Sequence, residues 1–149
     1  MDRYFSYLDT VQGRLPSGVF AFASNPRHYD LESHESLHDA WMEYFTIREP
    51  SSGLRKERRE IEIECCLLGP YHDLKIVLEY SRVRAYSLTT PEGYRNPPAF
   101  EAGHGDLLMH EVRLDANNSV VHEFLYSRGA VLLITCEDFD HRIEPVEQC

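Results

Sequence analysis

The sequence has no apolar run approaching the ~18 residues a membrane-spanning helix needs, and its opening stretch, MDRYFSYLDT, is acidic and polar where a secretory leader would be basic and then apolar. The expectation is a cytoplasmic protein that does not engage the membrane. Basic residues are scarce: 15 Lys and Arg stand against 25 Asp and Glu, for a net charge of −10. That balance argues against binding nucleic acid or anionic lipid, both of which need a basic face, and it would speed encounter with a basic protein partner. Cysteine is too sparse for a disulfide framework in a chain this long, and no CxxC is present. Cys65 and Cys66 are adjacent, so on a strand they face opposite ways; reduced thiols in a reducing compartment are expected. Nucleophile-elbow, phosphate-loop, dinucleotide and zinc-protease signatures are all missing, as are internal repeats and low-complexity segments. No cofactor is expected.

What is present fits one globular domain of 149 residues, 42% hydrophobic and 27% charged. A chain of this size buries roughly 68–70% of its unfolded surface, enough for a core without staples. Tyr4, Tyr7, Leu8 and Val11 repeat at helical spacing behind Asp2, and Gly13 and Pro16 end that helix. SGVFAFAS is a short apolar run of ambiguous type, closed by Asn25-Pro26. In SLHDAWMEYFTIRE the aromatic and β-branched content favours a strand from about Trp41 to Arg48, with Pro50–Gly53 as a loop. RREIEIECCLL alternates strictly: Ile61, Ile63, Cys65 and Leu67 face one way, and Glu60, Glu62, Glu64 and Cys66 the other. LKIVLEY and VRAYSLT read as two strands joined tightly at Ser81-Arg82. The pattern vanishes from Thr89 to Gly105, where prolines and glycines crowd; loops this long are usually functional or disordered. Leu107–Asp115, Ser119–Ser127 and Ala130–Glu137 follow as strands, and HRIEP as a short last one. The sum is a mainly-β fold: an antiparallel sandwich or strongly bent sheet of about seven strands with a short N-terminal helix.

The segment GHGDLLMHEVRLDANNSVVHEFLY concentrates the chemistry. A hairpin turn centred on Asn117-Asn118 would pair Arg113 with His122 and Glu111 with Phe124, and a turn at Arg128-Gly129 would pair His122 with Thr135. One face would then hold Leu108, His110, Val112, Leu114, Val121, Glu123, Leu125, Leu132, Ile134 and Cys136, the expected core. Its two polar members, His110 and Glu123, become diagonal neighbours. They read as a mutually satisfied buried pair, or as a tuned acid–base pair at a pocket mouth. His122 would sit on the outer face with Glu111, Arg113, Thr135 and Glu137.

Other groupings are less convergent. His104, Asp106 and His110 form H-x-D-x3-H, but Asp106 and His110 lie about 13 Å apart along a strand and could share an ion only across a bulge. His38-Asp39 precedes the Trp41 strand, where Asp39 can cap a turn. Glu60, Glu62 and Glu64 form a water-facing acidic ladder, either a solvated face or a docking surface for a basic partner. Tyr94, Arg95 and Phe100 place recognition-type side chains in the long loop, where they either anchor a partner or pack on their own fold.

SLHDAWMEYFTIRE with the alternating strands that follow, and GHGDLLMHEVRL, resemble segments of small bacterial cytosolic domains of unknown function, including immunity proteins of polymorphic toxin systems. Families of that kind are small, acidic and β-rich, and they bind a toxin rather than catalyse. The resemblance implies a non-enzymatic binding protein and transfers no functional residue. Two other readings stand beside it. One is a small metal-dependent enzyme using some of His38, Asp39, His104, Asp106, His110 and Glu123. The other is a small-ligand-binding protein with a pocket near His110 and Glu123.

Overall fold

A computed structural model describes residues 2–91 and 103–147. Tyr94, Arg95 and Phe100 lie outside the described residues. The amphipathic start forms helix α1 (Asp2–Val11), which buries Leu8 and Val11. SGVFAFAS resolves as a second helix, α2 (Ser17–Ser24), burying Val19, Phe22 and Ala23. Pro16 introduces α2, and the Asn25 side chain accepts the Arg27 amide to start a single 3-10 turn at Pro26–His28.

The strands are β1 (Trp41–Arg48), β2 (Ser51–Ser52), β3 (Arg58–Arg59), β4 (Glu62–Leu68), β5 (Leu74–Thr89), β6 (Leu107–Leu114), β7 (Val120–Tyr126) and β8 (Val131–Pro145). Six of them build one antiparallel sheet in the order β1-β4-β5-β8-β7-β6. The mainly-β expectation therefore holds, with one six-stranded antiparallel sheet and a small second sheet. β2 and β3 pair separately, so Arg58-Arg59 leaves the strand expected from Arg58 onward, and Ser51-Ser52 is more than loop.

Two expected strands in each half of the sheet's centre prove continuous. Ser81-Arg82 is a bend inside β5 rather than a turn: Arg82 has φ +49°, and pairing with β8 runs through it from Leu74 to Thr89 with an irregularity between Val83 and Ala85. Left-handed backbone at a non-glycine residue looks like a turn in sequence but here deflects a strand. Likewise β8 runs unbroken through what reads as two strands. The helices pack over the face bearing Ile63, Leu67, Ile76, Leu78, Tyr80, Leu132, Ile134 and Phe139, and these form the core with α1 and α2.

The decisive departure concerns β7. The β6–β7 loop places Ala116, Asn117 and Asn118 between Asp115 and Ser119. The Asp115 amide donates to the Ser119 carbonyl at 3.0 Å, and Asn118, at φ +59°, donates to the Asp115 carbonyl at 3.1 Å. The Asp115 carboxylate accepts the amides of Asn117 and Ser119, each at 2.9 Å. A three-residue loop ending in a left-handed residue shifts the register by one relative to a two-residue turn. The pairs are therefore Val112 with His122 and His110 with Phe124. The β7–β8 turn is of the same kind, with Gly129 at φ +87°, so the second shift cancels the first and β8 keeps its expected face. Only β7 is inverted: Val120, His122, Phe124 and Tyr126 point into the core, while Glu123 and Leu125 point out.

A bulge between Leu107 and Met109 makes one further change. It buries Leu107 completely and leaves Leu108, expected inside, 44% exposed. On the opposite side Cys66, expected to face water, is buried with Val77. Tyr44 and Arg142 flank that pair across the ladder.

β6 is an edge strand, and several of its outward main-chain groups are engaged. The Tyr4 hydroxyl donates to the Val112 carbonyl at 2.9 Å and accepts the Val112 amide at 2.8 Å, while the Tyr7 hydroxyl accepts the Leu114 amide at 2.9 Å. At the other end the Leu107 amide and carbonyl bond to Ala40 and Asp39. Helix α1 thus substitutes for a seventh strand through two phenols.

Asp115→Ala removes both carboxylate bonds of the β6–β7 loop and should cost about 1–2 kcal/mol in urea unfolding. Asn118→Gly, which suits the left-handed position, should change stability by less than about 0.5 kcal/mol.

Candidate functional site

Inverting β7 brings His122 against His110 and turns Glu123 away from both. The expected His110–Glu123 pair does not form: Glu123 bonds to Arg113 at 3.2 Å on the outer face. Instead, His110 Nδ1 lies 3.0 Å from His122 Nε2, and His122 Nδ1 lies 2.7 Å from the Tyr80 hydroxyl. All three side chains are buried. Phe22 from α2 closes over them, its ring 5.8 Å from that of His110, 5.9 Å from His122 and 4.4 Å from His28.

The direction of the chain follows from its end. The Tyr80 hydroxyl is buried with His122 Nδ1 as its one hydrogen-bond partner among the described residues, so the proton order that leaves the fewest buried groups unmet has the hydroxyl donating there. His122 then carries its own proton on Nε2 and donates it to His110 Nδ1, which leaves the His110 proton on Nε2. This ordering requires both rings to be neutral. Burial, reinforced by the neighbouring imidazole, drives His122 well below the ordinary histidine range, and burial holds His110 down to about 3. Burial likewise lowers His28 and raises Tyr80 far above an ordinary phenol.

The chain ends in an unmet group. His110 Nε2 has no hydrogen-bond partner and is sealed from solvent, as is His28 Nε2. His28 is anchored on its other nitrogen, 3.1 Å from the Glu35 carbonyl. The Tyr29 ring stacks on His110 at 4.9 Å and 9°, and the Tyr29 hydroxyl donates to the Ala23 carbonyl at 2.7 Å. A buried polar atom without a partner costs roughly 1–3 kcal/mol, and such atoms concentrate where structure serves something other than stability.

Beside this cluster lies a cavity of about 700 Å³, within the range of small-molecule sites. Arg3, Tyr4 and Tyr7 of α1, the segment carrying His28, Tyr29, Leu31 and His38, and Leu108–Glu111 of β6 line it. His110 belongs to both the buried chain and the cavity wall.

The remaining sequence candidates disperse. His104 sits 5.9 Å from the Tyr126 ring, and the Asp106 amide donates to Ser127 Oγ while its carbonyl accepts the Ser127 amide, so both are engaged away from His110. Gly105 between them, at φ +84°, admits no side chain: a Cβ would lie 2.2 Å from Ser127 Oγ. His38 Nδ1 is 3.3 Å from its neighbour Asp39. Among the described residues, no three His, Cys, Asp or Glu side chains gather as a metal would require.

Glu60 and Glu62 are exposed, whereas Glu64 is engaged. It accepts the Tyr44 hydroxyl at 2.8 Å, which, with Arg142 at 3.6 Å, holds its carboxyl below the ordinary value. Arg142 also contacts Glu79 and Glu144, so a single guanidinium is shared among three carboxylates and this part of the surface stays net negative.

Sequence reasoning missed Tyr80, His122, His28 and Tyr29. The signal for His122 was present in VVHEFLY, where Val120, Phe124 and Tyr126 make a bulkier face than Val121 and Leu125. No family model and no curated protein matches the chain.

Because the unfolded histidine titrates near 6.5 and folded His110 near 3, the unfolded chain binds more protons between those values. Stability should be full above pH 6.5 and fall as pH drops toward 3, by up to about 1.4 kcal/mol per pH unit for each such histidine. Urea midpoints from pH 7.5 to 4.5 should show this decline, and His110→Phe should make it shallower, with His122 and His28 still contributing. Tyr80→Phe should cost about 1–3 kcal/mol at neutral pH, since it strands His122 Nδ1 in the core.

Proposed function

We propose that the protein is a non-enzymatic binding protein whose cavity beside β6 holds a small, mainly apolar ligand. The observation that carries this reading is the cavity of about 700 Å³, walled by tyrosines whose hydroxyls are tied to main chain. Pinned walls reduce the ordering cost of binding. The chemistry of the site favours binding over catalysis: a general acid or base works best with a pKa near the operating pH, and His110 near 3 stays neutral at pH 7. The buried thiols are equally unsuited to attack: Cys65 is pushed up to about 12 by burial and Cys66 is raised as well. Within this proposal the protein works in the cytoplasm; no helix among the described residues is long and apolar enough to cross a membrane.

A second reading takes the acidic surface as primary. The net charge of −10, with Glu60 and Glu62 exposed, supports an immunity-like role in which the protein docks a basic protein partner. Capture from host lysate at low and raised salt tests it: a single basic partner lost as salt rises supports docking, and no specific partner at either salt removes it.

For the ligand reading, a ligand-observed NMR screen of aromatic fragments should yield binders. Leu108→Trp, at an exposed position on the cavity wall, should abolish their binding while shifting the melting temperature by less than about 4 °C. Undiminished binding to this variant would place the fragments elsewhere.

A further inference from the structure

The cavity wall has a specific chemistry. Tyr4, Tyr7 and Tyr29 contribute ring surface to it, because each hydroxyl is engaged with main chain: Tyr4 with Val112, Tyr7 with Leu114 and Tyr29 with Ala23. The Tyr4 and Tyr29 rings cross at 62° with centroids 6.1 Å apart, and Tyr7 lies 6.4 Å from Tyr4. Glu111 joins the same wall, and its charge acts on both Tyr4 and Tyr29. Glu111 stands opposite Glu123 in the ladder, and the neighbouring arginine, Arg113, is bonded to Glu123 at 3.2 Å. Of the three histidines on the wall, His28 and His110 are held neutral by burial, and His38 lies 3.3 Å from the Asp39 carboxylate.

Resting on the ligand-binding reading, we propose that the cavity takes a small organic cation with an apolar body, of the quaternary ammonium type, held against the ring surfaces of Tyr4, Tyr7 and Tyr29 with Glu111 as its counter-charge. Aromatic ring faces beside a carboxylate attract a quaternary ammonium, which donates no hydrogen bond; the Tyr4 and Tyr29 rings cross at 62°, while Tyr7 lies nearly parallel to Tyr4 at 23°. The opposing feature is Arg3, the positive charge on the wall, four residues before Tyr7 on the exposed first turn of α1. It sets the selectivity test.

Three probes of similar size separate the outcomes: phenyltrimethylammonium, its uncharged isostere tert-butylbenzene, and benzoate, each titrated by NMR against the whole protein. Phenyltrimethylammonium should bind about tenfold more tightly than tert-butylbenzene and shift the ring resonances of Tyr4 and Tyr29. Glu111→Gln should remove most of that advantage without changing tert-butylbenzene binding, and Arg3→Ala should tighten the cation alone. Equal or tighter binding of tert-butylbenzene or benzoate overturns the cation proposal while leaving an apolar-ligand cavity standing. Failure of all three probes to bind overturns both.

Discussion

The register of the β6–β7 hairpin is the constraint on which the rest of the molecule depends. Strand side chains alternate with a period of two, so a one-residue change exchanges the two faces of β7 completely. The three-residue loop held by the Asp115 carboxylate selects the register that buries His122, Phe124 and Tyr126 and releases Glu123 to the surface. In the alternative register a carboxylate would enter the core opposite Val112, and His122 would be lost from the chain that begins at Tyr80.

The buried chain and the cavity are consequences of the same arrangement. Tyr80 comes from β5, His122 from β7 and His110 from β6, so one hydrogen-bonded line crosses the sheet beneath Phe22. Placing two imidazoles in an apolar core is costly, and the line lowers that cost by satisfying all but the last nitrogen. That last nitrogen lies under Tyr29, at the point where the packed interior gives way to the cavity. The other wall of the cavity is α1, held to the edge of β6 by Tyr4 and Tyr7. The protection of a sheet edge and the shaping of a binding site are therefore performed by the same phenols.

Much of the fold was legible because it follows local rules. The helical spacing of Tyr4, Tyr7, Leu8 and Val11, the strand at Trp41–Arg48 and the alternation around Ile63 and Cys65 all correspond to observed elements. The errors lie where local rules are silent. Asn117-Asn118 suits both two- and three-residue turns, and only the contacts of Asp115 distinguish them. Ser81-Arg82 resembles a turn, yet β8 pairs across it. Cys66 alternates with the core but is buried between its cross-strand partners Tyr44 and Val77, neither of them its sequence neighbour. The site was less legible than the fold. His110 was identified, but its partner depended on the register, and the tyrosines of the cavity looked like ordinary helix-face aromatics. The acidic ladder illustrates the same limit: Glu64 is distinguished from Glu60 only by Tyr44 and Arg142, neither of them its sequence neighbour.

The central inference is that burial holds His110 and His122 neutral and that the Tyr80 hydroxyl, by donating to His122 Nδ1, sets both rings to the Nε2–H tautomer. Long-range nitrogen–proton correlation spectra of the histidine side chains report protonation and tautomer directly. The account predicts that His110 and His122 both show the neutral Nε2–H form from pH 8 down to at least pH 5. An imidazolium signal from either ring at pH 6, or an Nδ1–H tautomer at His110, would contradict it.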